Sequence, residues 1–122
     1  MPTETFEIGR RTRNLPPPPR IVWQSLTDPR RPGSRPWLFL LDDEVEPQVL
    51  DAHEPKLVVW SSIWPNTPDE VIRFELAPDG LSGTNLTWTL TSPVELPPNV
   101  VGHQRFRLNK LLWADLRYSY GQ

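Results

Sequence analysis

The sequence predicts an α+β fold in which a curved antiparallel sheet grips a long C-terminal helix. Residues 71–91 contain two alternating strands around a Pro-Asp-Gly turn, and strict alternation is typical of strands that bury one face. From residue 100 to about residue 118 the apolar spacing becomes helical, as in an amphipathic helix. Because the buried face of the hairpin needs a cover, we expect this helix to pack against it.

Each strand of the hairpin places its large apolar residues on one face. These are Ile72, Phe74 and Leu76 on the first strand, and Leu86, Trp88 and Leu90 on the second. Arg73 falls on the opposite face and is expected outside. Gly80 and Gly83 flank the turn and supply backbone conformations that other residues avoid.

The preceding part of the chain predicts three further strands and one helix. Strands are expected at Thr3–Thr12, Val45–Ala52 and Lys56–Trp64, the last being rich in β-branched and aromatic residues. A proline-led helix is expected at Pro18–Asp28, because proline is tolerated in a first turn and the residue before the next proline avoids the helical region. The apolar block Trp37–Leu41 fits either a strand or one helical turn.

Length and composition predict one domain spanning residues 1–122. The chain has 122 residues and no cysteine, which excludes disulfides and thiolate metal sites. It contains no apolar run of about 20 residues, and its first residues lack the pattern of a secretory signal. We therefore expect a cytoplasmic protein without membrane insertion. The sequence indicates no oligomeric state.

Charge argues against a nucleic-acid partner. The formal net charge is −2, and the sequence pI is about 5.6, whereas nucleic-acid-binding domains are commonly basic. The arginines of the first 35 residues lie in three separate places rather than in one patch. We interpret them as a solvated rim with local pairing to acids.

Four segments in this order resemble the START-like helix-grip superfamily, also called SRPBCC, which includes polyketide cyclase/dehydrase-like proteins and heat-shock-protein activator homologues. They are the proline-led helix at 16–29, the strand-turn-strand at 49–60, the Pro-Asp-Gly hairpin at 74–89 and the terminal amphipathic helix. The resemblance implies a ligand cavity between sheet and helix. Members commonly have seven strands, whereas this sequence predicts about five.

On that fold, an aromatic set would face the space between sheet and helix. We predict that a small apolar or aromatic ligand is bound by Trp60, Phe74, Trp88, Phe106 and Trp113, with Asn109 as a polar anchor. Asn109 could equally hold a buried water. The resemblance supplies no catalytic residues, and we predict no cofactor. An enzyme of the cyclase/dehydratase type using the same cavity, and a protein-interaction module, are alternatives.

The remaining polar residues carry weaker signals. His53 is expected in an exposed turn and His103 in the first turns of the last helix, where either could act as a general base. The acids Asp42, Asp43, Glu44 and Glu46 are interpreted as solvated acids at a turn, although carboxylates can bind cations.

Two further observations concern metal and hydrolase chemistry. No His-x-x-x-His or Glu-x-x-His spacing indicates a metal site. Ser61 and Ser62 lack the Gly-x-Ser-x-Gly elbow of a hydrolase nucleophile.

On the last helix, four basic residues are expected on the wetter side, namely Arg105, Arg107, Lys110 and Arg117.

Overall fold

A computed structural model describes residues 5–121 and confirms the α+β fold class with five strands. The strands are β1 (Phe6–Leu15), β2 (Val49–His53), β3 (Leu57–Ser61), β4 (Val71–Pro78) and β5 (Thr84–Ser92). They form one open antiparallel sheet in the order β1-β5-β4-β3-β2. The helices are α1 (Pro19–Thr27) and a continuous C-terminal helix made of α2 (Pro98–Asn109), a π-helical stretch (Lys110–Leu116) and α3 (Arg117–Ser119).

The β4–β5 hairpin has the predicted faces. Phe74 lies opposite Trp88 in the sheet, and both are buried, as are the other four apolar residues predicted on this face. Arg73 is exposed, as predicted. The turn is closed by Asp79, whose Oδ1 accepts hydrogen bonds from three backbone N–H groups within Leu81–Gly83.

These hydrogen bonds have an electrostatic consequence. The backbone N–H of Leu81 and the side chain of Asn14 lower the pKa of Asp79 to about 2.

The other elements differ from the prediction mainly at their ends. The first helix matches closely, with Val22 and Leu26 buried. The strand expected at Val45–Ala52 begins later, at Val49. Residues 37–41 form neither a strand nor a helix, yet Trp37 is buried in the core. Among residues 5–121, no helix combines the length and hydrophobicity that crossing a bilayer requires.

Candidate functional site

Three aromatic side chains pack on one another within the hydrophobic core. Trp37 stacks on Trp60 with ring centroids 6.0 Å apart, and Trp60 meets Phe74 edge-on at 4.7 Å. Trp60 and Phe74 are completely buried, and the Trp60 indole N–H donates to the carbonyl of Leu26 at 2.8 Å. These rings therefore form the core of the domain.

Asn109 joins the sheet to the helix. Its Oδ1 accepts hydrogen bonds from the indole N–H groups of Trp88 at 3.2 Å and Trp113 at 2.9 Å. Trp88 is 1% exposed, whereas Trp113 is half-buried against the core. The predicted polar anchor thus binds two protein donors in this structure.

The prediction that Phe106 faces the space between sheet and helix is wrong. Phe106 is 65% exposed and does not face the sheet. The buried face of the helix instead passes through Gln104, Arg107 and Leu108. Two of these residues are polar, so a hydrophobic pattern misses them. Phe39 is also exposed, and its carbonyl accepts from Arg107. The alternative that the domain is a protein-interaction module stays a prediction.

The apolar face predicted for the last helix continues through the π-helical stretch. Its i→i+5 hydrogen bonds turn the chain less per residue than an α-helix does. Leu111, Leu112 and Leu116 remain buried on one side. The inner side predicted for Leu112, Trp113, Leu116 and Tyr120 is nevertheless confirmed, because all four are buried or packed against the core.

The structure contradicts the predicted exposure of both Glu44 and Arg107. Glu44 is buried rather than solvated, and Arg107 is buried rather than on the wetter side. The guanidinium donates two hydrogen bonds of 2.8 Å to the carboxylate. The signal that could have revealed Arg107 is its position beside Leu108 and four residues before Leu111, within the apolar stripe.

A cleft of about 440 Å³ lies beside the N-terminal part of α2. We call it the end cleft. Its walls are the segment after β3, the segment before α2 and the first turns of α2. It is lined by Asp43, Trp64, Pro65, Asn66, Thr67, Leu96, Pro97, Asn99, Val100, His103 and Gln104. Asn99 lies in the first turn of α2, which begins at Pro98.

A buried polar network lies at the wall of the end cleft. Gln104 Nε2 donates to Glu70 Oε1 at 2.8 Å and to Thr67 Oγ1 at 3.1 Å. The Thr67 hydroxyl also donates to Glu70 Oε1. Within residues 5–121, Glu70 Oε2 and Gln104 Oε1 have no hydrogen-bond partner. In the described residues, one of these unpartnered acceptors, Gln104 Oε1, belongs to a residue that lines the end cleft, whereas Glu70 lies behind it.

Glu70 differs from Glu44 in its electrostatics. Burial raises the pKa of Glu70, and hydrogen bonds from Thr67 and Gln104 offset this only in part. In the described part of the chain, Glu70 has no Lys, Arg or His partner. Burial acts on Glu44 too, but hydrogen bonds from Arg107 and from the backbone of Leu41 outweigh it and lower its pKa.

The histidines occupy different places. His103 is exposed and lines the end cleft. His53 is exposed on β2, with Nε2 3.4 Å from Asp51 Oδ1.

Ser61 accepts a hydrogen bond from the Gln48 backbone, and Ser62 from the Trp64 backbone. No group of His, Asp and Glu side chains within residues 5–121 is arranged to hold a metal ion.

The predicted aromatic contacts and the end cleft are separate. None of Trp60, Phe74, Trp88, Phe106, Asn109 and Trp113 lines the end cleft. Their assignment as ligand contacts stays a prediction. The cleft residues were missed because they come from loops and from polar positions of α2, which a search for aromatic faces passes over.

Comparison with known proteins supports the fold. No family model matches the chain, and no curated protein matches it. The Aha1 dimer of Colwellia psychrerythraea matches at a TM-score of 0.65 and 16% identity, over 88% of this chain and 91% of that one. Mll3558 of Rhizobium loti matches at 0.58 and 20% identity, over 95% and 96%. CalU16 of Micromonospora echinospora matches at 0.53 and 21% identity, over 75% and 73%.

These neighbours are helix-grip proteins. At such identities the likeness establishes the fold. The present chain has the helix-grip fold with a five-stranded sheet.

Proposed function

We propose that this helix-grip domain binds a small molecule in the end cleft, one that joins an apolar body to hydrogen-bond donor groups. The observation that supports this most is the unpartnered acceptor of Gln104 at the wall of a cleft with apolar sides. Buried polar groups normally have partners. A donor on the ligand would supply one.

The size and lining of the end cleft suit such a ligand. Ligand sites are typically about 300–1,000 Å³ and mostly apolar, with few polar groups that fix orientation. The end cleft measures about 440 Å³. Trp64, Leu96 and Val100 provide apolar contact, and Gln104 and Thr67 provide polar contact.

Charge narrows the class of ligand. Asp43 lines the end cleft, whereas Lys and Arg are absent from its lining. An anionic ligand would meet the Asp43 carboxylate with no Lys or Arg among the described lining residues to offset it, and like charges repel. Neutral and cationic molecules are therefore favoured over carboxylates and phosphates. The predicted apolar or aromatic ligand is therefore expected to be neutral or cationic.

An enzyme of the cyclase/dehydratase type is the second candidate. Glu70 favours it, because a buried carboxyl whose pKa is raised by burial is a candidate proton donor or acceptor. Glu70 contacts Thr67 and Gln104, which both line the end cleft. Turnover that Glu70→Gln abolishes while binding persists would identify an enzyme.

A titration followed by NMR tests the binding proposal. Benzyl alcohol, benzylamine and benzoate share an aromatic ring and differ in charge. We expect saturable shifts of the Trp64 indole and of the Thr67 and Gln104 signals with the first two probes, and weaker shifts with benzoate. Absence of saturable shifts with every probe, or tightest binding of benzoate, would contradict the proposal.

A further inference from the structure

A second cleft lies at the other end of the C-terminal helix. Its volume is about 270 Å³. It is bounded by α1, by the loop that follows α1 and by Ser119 and Tyr120 at the C-terminal end of the last helix. We call it the arginine cleft, because Arg31 and Arg35 line it.

The indole N–H of Trp37 is an unused donor at the arginine cleft. Trp37 lines this cleft and is 2% exposed, and its Nε1 has no partner within residues 5–121. Other tryptophans of the domain are satisfied: Trp60 donates to Leu26 and Trp23 to Leu57. A buried N–H without an acceptor is unfavourable. An acceptor from outside the chain would relieve it.

The two arginines leave positive charge at the same place. Neither Arg31 nor Arg35 forms an ion pair with an acid of the described residues, although neighbouring Arg30 pairs with Glu46. Arg31 donates to Gln24 through Nη1 at 2.5 Å, which leaves its other N–H groups available. Asp28 is the one carboxylate of the lining. The positive charge of the two guanidinium groups therefore exceeds the negative charge of this carboxylate.

The hydroxyl groups of the arginine cleft already donate within the protein. Ser25 and Ser119 donate to backbone carbonyls, as does Ser34. Tyr120 donates to Ser25 at 2.7 Å. The donors that remain belong to the indole and the guanidinium groups. This set matches an acceptor that carries negative charge.

We propose that the arginine cleft binds a small oxyanion, a carboxylate or a phosphate, through the Trp37 indole N–H and the guanidinium groups of Arg31 and Arg35. This site is independent of ligand binding in the end cleft. The two clefts offer opposite chemistry, acceptors at one end of the C-terminal helix and donors at the other.

The Trp37 indole resonance of the labelled full chain reports directly on this site. Inorganic phosphate and acetate are titrated separately, with sodium chloride at matched ionic strength as the reference. We expect a saturable shift of this resonance with at least one of the two anions beyond the chloride effect. The anion that binds more tightly identifies the class.

Two charge-matched variants complete the test. In R31Q/R35Q the affinity should fall about tenfold or more, because charge-assisted hydrogen bonds are lost. In R11Q/R13Q, which removes two exposed arginines of β1, the affinity should be unchanged. Circular dichroism melting confirms that both variants fold. A shift equal to that in chloride, or equal affinity of wild type and R31Q/R35Q, would overturn the proposal.

Discussion

Arg107 and Glu44 form a buried two-pronged ion pair between the C-terminal helix and the loop before β2. Nε lies 2.8 Å from Oε2 and Nη2 lies 2.8 Å from Oε1, with side-chain exposures of 6% and 0%. The backbone N–H of Leu41 and the indole N–H of Trp64 also donate to the carboxylate. The pair therefore fixes Trp64, a wall of the end cleft, against the helix.

Removal of one partner should be costly. Arg107→Leu would leave the Glu44 carboxylate buried without its cation, and we expect a loss of about 3–5 kcal/mol in the free energy of unfolding. Urea denaturation measures it. Arg30→Gln breaks the exposed Arg30–Glu46 pair and should cost less than about 1 kcal/mol. Equal losses in the two variants would show that the buried pair has no special role.

Glu70 should make the protein less stable as the pH rises. Its pKa is raised above the ordinary 4.5, so the folded state binds a proton more tightly than the unfolded state. The stability that this proton contributes is present below the unfolded pKa and is lost as pH rises through the folded pKa.

Glu70→Gln keeps an acceptor for Gln104 and removes the titration. Its free energy of unfolding relative to wild type should therefore increase as the pH rises above the ordinary pKa of a glutamate. Urea denaturation at several pH values measures this difference. Glu75→Gln, an exposed control on β4, should show no comparable increase. A relative stability of Glu70→Gln that falls with pH would contradict the assignment.

Two aromatic residues of the predicted site should respond very differently to truncation. Trp88→Ala should cost about 3–5 kcal/mol, because it empties a packed position and removes a donor to Asn109. Phe106→Ala should change stability by about 0.5 kcal/mol or less, as is usual at exposed positions. Thermal and urea unfolding distinguish them. Similar losses would mean that Phe106 is buried after all.

Two glycines provide a test of local packing. A Cβ at Gly83 would lie 2.6 Å from the backbone oxygen of Leu15. Gly83→Ala should therefore destabilise the hairpin by about 1–3 kcal/mol through overpacking. A Cβ at Gly102 of α2 meets nothing within 4 Å, and Gly102→Ala should stabilise by about 0.5–1 kcal/mol through helix propensity. Calorimetric melting would show opposite shifts, and shifts of the same sign would contradict this account.

The sequence could predict the fold because the sheet has regular periodicity. Alternation around Phe74 and Trp88 identified the buried face, and the proline-led segment identified α1. The strand at Val49–His53 was predicted less well, since it is a short edge strand whose residues are largely exposed. An alternating hydropathy pattern carries little information where most residues of a strand are exposed.

The candidate site could be predicted only in part. Phe106 was placed inward because hydropathy weights an aromatic ring above Gln104 or Arg107. Those two side chains are buried because Glu70 and Glu44, distant in sequence, supply their partners. Tertiary pairing of polar groups therefore determined what local patterns missed.

A larger side chain in the wall of the end cleft should block ligand binding there. Val100→Trp would place an indole in the cleft, and Leu81→Trp adds the same ring at a turn residue that is 91% exposed. Isothermal titration with benzylamine compares both with wild type. We expect Val100→Trp to lower the affinity by about tenfold or more and Leu81→Trp to leave it unchanged. Equal affinity in wild type and folded Val100→Trp would contradict ligand binding in the end cleft.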